Sequence, residues 1–227
     1  MKNRKKLILF IICLILLVVA ILEIRQKLLF VKVKREFLSN VYEIQRNGNY
    51  HIAYHYTDSV VESDYELFAK DGQIYSYSDS SDGSKMIHIV DYDKTYTIFD
   101  NGEGKKYLEM SYPQDKMGKK LDGYHILYYD EIENKNRVES IKKGEYKGQE
   151  CYIVKIVSDV FLEEVQIAYI NPETYMPIAI EDIVIENEDN LKESRDLYEY
   201  QDISIGSVEK LPEIDLTEYE KIEFPEL

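Results

Sequence analysis

At 227 residues and 44% hydrophobic composition, the chain has room for one folded domain and a separate apolar segment, while two full domains would be cramped. Its net charge of −15 is unevenly spread: residues 1–35 hold nine of the 28 Lys and Arg and one of the 43 acids, leaving 19 basic against 42 acidic residues, a net of −23. A field of that sign repels nucleic-acid backbones and anionic headgroups, which excludes nucleic acid as a partner.

The first six residues form a basic segment (Lys2, Arg4, Lys5, Lys6), expected to be cytoplasmic. Residues 7–24 then run LILFIICLILLVVAILEI, with Glu23 the one charge. At 1.5 Å per residue such a helix spans about 27 Å, close to the thickness of a bilayer core. Ala20 has no small partner two residues away and the run continues past it, so an uncleaved signal anchor is expected rather than a cleaved leader. Cys13 lies deep in the run, followed by Leu14 and Ile15, where lipoprotein processing would need small residues and a cleavage position at the run's end. Basic residues on both sides of the run nearly balance the positive-inside count. The short basic start favours an inside N-terminus and an extracytoplasmic C-terminal domain at the cell membrane. Residues 25–48 read as a stalk and first helix. Leu28, Leu29, Val31 and Val33 beside Arg25, Lys27, Lys32, Lys34 and Arg35 suit either a plain stalk or a segment riding on the membrane surface.

From Asn49 the pattern changes to period two, and residues 49–208 are expected to form a β-rich domain. Tyr50, Ile52, Tyr54 and Tyr56 alternate with His51, Ala53, His55 and Thr57. Strands at 64–69 and 73–78 flank a Lys70-Asp71-Gly72 turn, and further strands are expected at 85–90, 95–99 and 105–110. Residues 111–122 break the rhythm with Pro113 and Gly118, and 124–132 reads as a short helix or buried segment. Strands resume at 138–146, 151–158, 163–170, 178–186 and 195–205, and the acidic tail 209–227 reads as extended or partly ordered. The fold class is therefore α+β, mainly antiparallel β, with an N-terminal transmembrane helix, a curved β half-barrel and a few short helices. Its inner face is expected to carry Tyr50, Ile52, Tyr54, Tyr56, Tyr75 or Ile74, Tyr96, Ile98, Tyr152, Val154 and Ile156. Such a face either packs on a helix or lines an apolar cavity.

Motifs for chemistry are sparse. His51 and His55 sit four apart, which on a strand is about 13 Å and too far to share a metal. Asp79-Ser80-Ser81-Asp82-Gly83 has a calcium-loop flavour, but its twelfth position is Val90 where a glutamate is needed, so it reads as a hairpin turn. No phosphate loop, nucleophile elbow or CxxC is present, and neither enzyme activity nor a cofactor or metal is expected. Cys151 reads as a small buried hydrophobe.

One stretch resembles a known family. Lys147-Gly148-Gln149-Glu150-Cys151-Tyr152-Ile153-Val154 is followed by Tyr169-Ile170-Asn171-Pro172-Glu173-Thr174-Tyr175-Met176-Pro177-Ile178. This strand, Asn-Pro turn and restarted strand are similar to the LolA superfamily, with its LppX-like and RseB-like domains. The resemblance implies an open antiparallel sheet closed by helices over an apolar cavity. The implied function is a membrane-tethered module for a lipid or other hydrophobic ligand, with an envelope-sensing role. Tyr50, Ile52, Tyr54, Tyr56, Tyr152, Val154 and Ile156 are the candidate lining. The alternative is a non-enzymatic envelope protein whose acidic face docks a basic partner.

Overall fold

A computed structural model describes residues 2–91, 94–100, 104–111, 136–158, 164–186 and 192–223, with the first helix's side chains described at 10–40, 43 and 44. The expected segment at 124–132 lies outside these residues.

A single helix, α1 (Lys2–Asn47), takes up the basic start, the apolar run and the expected stalk without a break. Its two halves have different surroundings. Through residues 10–24 the apolar side chains are open on all sides, with Phe10 65% and Leu16 62% exposed. Further on, Phe30, Val33, Phe37 and Ile44 recur at helical spacing and join the main apolar cluster, Val33 and Ile44 being fully buried. Among the described residues no helix is long and apolar enough to cross a membrane. An eighteen-residue stretch starting at Phe10 takes in Glu23, Arg25 and Lys27.

The helix ends at Gly48, whose φ of 61° is the left-handed cap that glycine adopts without strain. Asn49 then ties the entry to the sheet. Its side-chain amide donates to the Val208 carbonyl at 3.0 Å, and its Oδ1 accepts from the Val208 N–H at 2.9 Å.

The strands are β1 (Tyr50–Thr57), β2 (Glu62–Lys70), β3 (Gln73–Ser80), β4 (Lys85–Asp91), β5 (Lys94–Asp100), β6 (Lys105–Ser111), β7 (Asn136–Tyr146), β8 (Gln149–Ser158), β9 (Glu164–Ile170), β10 (Pro177–Glu186), β11 (Lys192–Ile205) and β12 (Glu220–Ile222). They form one open sheet in the order β12-β6-β5-β4-β3-β2-β1-β11-β10-β9-β8-β7. All neighbours are antiparallel except β12, which lies parallel to β6. Two meanders, β1–β6 and β7–β11, thus meet at the β1/β11 pair.

Turn chemistry sets the hairpins. Asp71 and Gly72 (φ 52° and 80°) make the two-residue link between β2 and β3, and Lys147 and Gly148 (φ 48° and 82°) do the same between β7 and β8. At Asn171 the side-chain Oδ1 accepts from the N–H groups of Glu173 and Thr174, and the Tyr175 N–H closes the turn onto the Asn171 carbonyl. This turn clamps α1: the Asn40 side-chain amide donates to the Thr174 carbonyl at 2.7 Å, and the Lys32 ammonium lies 5.4 Å above the Tyr175 ring.

Helix α1 lies on the inner face, where Val33, Phe37 and Ile44 share a core with Ile141, Val154, Ile156, Ala168, Ile170 and Ile180. The register Tyr50–Ala69–Ile74–Val90–Thr95 extends this face across β1–β5. Ile74 and Thr95 therefore face inward, and Tyr75, Tyr96 and Ile98 face outward, correcting the expectation for Tyr96 and Ile98. The physical reason is the C-terminal tail. Residues 209–216 cross the outer face, and Leu211, Pro212, Ile214 and Leu216 gather over Tyr75, Ile89 and Tyr96. With both faces covered, period two no longer marks which side is inside. The tail ends as β12 on the β6 edge, where Lys221 and Lys94 both pair with Glu109 at 3.1 and 2.9 Å.

Candidate functional site

Seven residues carried the expectation of a ligand cavity, and they fall in two groups. Tyr50, Ile52, Val154 and Ile156 are buried in the shared core that includes α1. Tyr152 is half-buried against it, its ring stacked on Tyr175 at 6.2 Å between centroids. Tyr54, buried in the same cluster, and Tyr56, packed against it, also line an open cavity of about 420 Å³ on the β1–β4 part of the sheet. The remaining walls are Tyr65, Glu66 and Leu67 of β2, Ser76 of β3, Met86 and His88 of β4, and Tyr198 of β11.

Register assembles this group. Tyr54 pairs with Tyr65 on one side and Tyr200 on the other, and Tyr56 pairs with Tyr198. A bulge in β1/β11 between Ala53 and Tyr54 brings the two tyrosines of β11 onto the inner face, with Asp202 left on the outer one. The rings of Tyr54 and Tyr65 lie 4.9 Å apart and nearly parallel at 7°, whereas Tyr56 stands at 89° to Tyr65 with centroids 6.2 Å apart. Tyr198 is 5.1 Å from Tyr56 and 5.9 Å from Tyr54.

The polar edge of the cavity is acidic. The Tyr56 hydroxyl donates to Asp58 at 2.9 Å, and Asp58 also accepts from the backbone of Val60 and Val61. Those backbone donors, then Tyr56, hold the Asp58 carboxyl below its usual range. Asp196 is pushed the other way, first by burial and then by the charge of Asp58. Burial lowers the His88 imidazole, whose Nδ1 lies 3.2 Å from Thr97 Oγ1. Burial is also the first cause that pushes the phenols of Tyr56 and Tyr198 well above their ordinary value. Beside them, the Tyr200 hydroxyl is buried with no hydrogen-bond partner among the described residues.

The expected histidine pair lies on the outer face, each with its own acid: His51 with Asp202 and His55 with Asp64, both at 2.8 Å. His51 stacks on Phe68 at 4.4 Å. Ser204 donates to Asp202 rather than standing at His51 Nε2, so the trio lacks the order a serine nucleophile needs. In the 79–83 turn Asp82 Oδ1 accepts from Ser84, and Asp79 pairs with Lys85 at 3.0 Å. Among the described residues no cluster of three or more His, Cys, Asp or Glu is placed to hold a metal. Cys151 is buried, and burial raises its thiol.

Tyr65, Met86, His88 and Tyr198 were not among the residues singled out from sequence. The signal for Tyr65 was weak because Asp64 and Glu66 flank it. Tyr198 required knowing that β11 pairs with a strand nearly 150 residues earlier.

An open antiparallel sheet with a long helix on its inner face is the architecture these strands define. No family model and no curated protein matches the sequence. Solved structures do match. MucB is 10% identical over 78% of this chain and 60% of its own, with a TM-score of 0.44. The MucA/MucB complex from Pseudomonas aeruginosa gives 10% identity, 77% and 57% coverage and a TM-score of 0.43. A LolA superfamily protein from Nitrosomonas europaea gives 9%, 78%, 94% and 0.31. The chain spans about three fifths of the length of MucB. One of these structures is a LolA superfamily protein, the group that the 171–177 turn resembles. With a tenth of the residues shared, the likeness concerns fold and carries no ligand or partner to this chain.

Proposed function

We propose that this chain is a membrane-tethered, extracytoplasmic binding module whose tyrosine-walled cavity receives a hydrophobic or amphiphilic ligand. The cavity itself carries the reading. It is a pocket of about 420 Å³, within the range of small-ligand sites, built from Tyr54, Tyr56, Tyr65, Met86 and Tyr198 on regular strands.

The first half of α1 supports the tether. Fifteen consecutive residues at 10–24, charged only at Glu23, present apolar side chains in every direction, and burying that surface in lipid offsets its cost in water. The basic start preceding them favours an inside N-terminus. Cys13 in that run and buried Cys151 leave a low thiol background for a topology test. A cysteine at exposed Ser81, as S81C, should react with an impermeant maleimide in intact cells. Labelling only after lysis would place the domain inside and overturn the topology.

The ligand reading is tested on the full chain extracted in maltoside detergent. Native mass spectrometry should find about one apolar or amphiphilic molecule per chain, absent from the double variant Tyr54→Ala, Tyr198→Ala. A bare mass that stays unchanged after incubation with membrane lipids would overturn it.

A further inference from the structure

Resting on that reading, we propose that the group bound among Tyr54, Tyr56, Tyr65 and Tyr198 is an organic cation of the quaternary-ammonium type. The wall composition is the starting point. Leu67 and Met86 are the aliphatic side chains around the cavity, and the tyrosine rings outnumber them. A tunnel for an acyl chain gains nothing from phenols, whereas a tyrosine face carries the negative quadrupole that attracts a cation. Beside the stacked Tyr54–Tyr65 pair, other rings are inclined to one another: Tyr56 is at 89° to Tyr65 and Tyr54 at 60° to Tyr198. Rings so inclined surround a rounded cation better than they sandwich a flat ligand.

Charge argues the same way. No Lys or Arg lines the cavity among the described residues. Some acids elsewhere on the domain are matched with bases, as in Lys85–Asp79, Lys105–Glu218, Arg195–Glu181 and Lys155–Glu139. Asp58 and Asp196, which both bear on Tyr56, have no cationic partner among the described residues. The hydroxyl of Tyr56 gives its hydrogen bond to Asp58, which leaves its ring richer in electrons. Hence the cavity joins aromatic faces, carboxylates nearby without a cationic partner and no lining Lys or Arg, the combination that favours a poorly hydrated cation over a neutral hydrocarbon.

A free solute or a lipid headgroup can bring the same trimethylammonium group, and the test separates them. Choline and its neutral isostere 3,3-dimethylbutan-1-ol are titrated into the full chain in maltoside micelles by calorimetry. Choline is expected to bind about tenfold or more tightly than the isostere. Tyr56→Leu should remove that preference and keep isostere binding, and Tyr65→Leu serves in its place if the first variant unfolds. Competition by phosphatidylcholine nanodiscs but not phosphatidylglycerol nanodiscs identifies a headgroup as the source, and its absence identifies a free solute. Equal binding of choline and isostere overturns the cation and leaves the apolar-pocket reading standing. Binding of neither, to a chain whose tyrosine circular dichroism shows it folded, overturns both at this cavity.

Discussion

Phe37 tests whether α1 is part of the domain or merely leads to it. Its ring is 3% exposed and sits in the same cluster as Val33, Ile44, Val154 and Ile156. Phe37→Ala removes a buried ring and leaves a cavity between helix and sheet, which costs about 3–5 kcal/mol. Ser39, two residues on and exposed, should change stability by less than about 0.5 kcal/mol on substitution by Ala. Urea unfolding of the full chain in maltoside micelles reads the difference. The 21 tyrosines and absence of tryptophan make tyrosine emission or near-ultraviolet circular dichroism the natural probe. With a denaturant slope of about 2–3 kcal/mol/M, Phe37→Ala should lower the midpoint by more than about 1 M. A shift as small as that of Ser39→Ala would show that the helix contributes no core, and the account of the inner face would fail.

Asn40→Ala removes the 2.7 Å bond to the Thr174 carbonyl and should cost about 1 kcal/mol, read in the same titration, with local loss of hydrogen-exchange protection at 173–176. Gly72→Ala meets open space but forces alanine to a φ of 80°, so it should cost about 1 kcal/mol through the backbone alone, and replacing Gly72 by a D-alanine in a semisynthetic chain should restore the loss. For His88 the sign follows from its lowered value. The unfolded chain takes up the proton near pH 6.5 and the folded one only at lower pH, so the stability is full above that range and is lost as pH falls through it to the folded value. In His88→Gln, the pH dependence of the urea midpoint just below pH 6.5 should be shallower than in the unsubstituted chain.

Much of the architecture is written locally. The Asp71-Gly72 turn and the alternation in β1 each follow from a few neighbouring residues, and those features are where expectation and structure agree, whereas the apolar run is helical but, among the described residues, no helix is long and apolar enough to cross a membrane. Sidedness was not local. Residues in β3 and β5 alternate correctly, but Tyr75 and Tyr96 lie on the outer face, where a tail more than a hundred residues away covers them. The tail read only as extended or partly ordered because its anchoring is distant: Lys105–Glu218, Lys221–Glu109 and the three-residue β12 ladder. The cavity shows the same division. Tyr54 and Tyr56 were visible as one face of a strand, while Tyr65 and Tyr198 became their neighbours only through the register of β2 and β11.

Helix α1 also decides which part of the inner face is open to a ligand. A guest among Val154, Ile156 and Ile180 would have to displace Val33, Phe37 and Ile44. Each of those side chains gains about 1.5–3 kcal/mol from burial, so lifting them away costs about 5–9 kcal/mol before any contact with the guest is made. That is comparable to the whole free energy of micromolar binding, about 8 kcal/mol. A ligand at the Tyr54–Tyr198 cavity displaces no helix and bears none of that cost. The same helix leaves only about 7 Å of rise between Ile24, where the apolar run ends, and Leu29, the first residue against the core. With the run embedded in lipid, the sheet is held near the bilayer surface by a continuous helix rather than a flexible linker. On the proposed reading of that run as a tether, an amphiphile leaving the bilayer would reach the tyrosine cavity over a short path, while the helix that blocks one half of the sheet leaves the other half open.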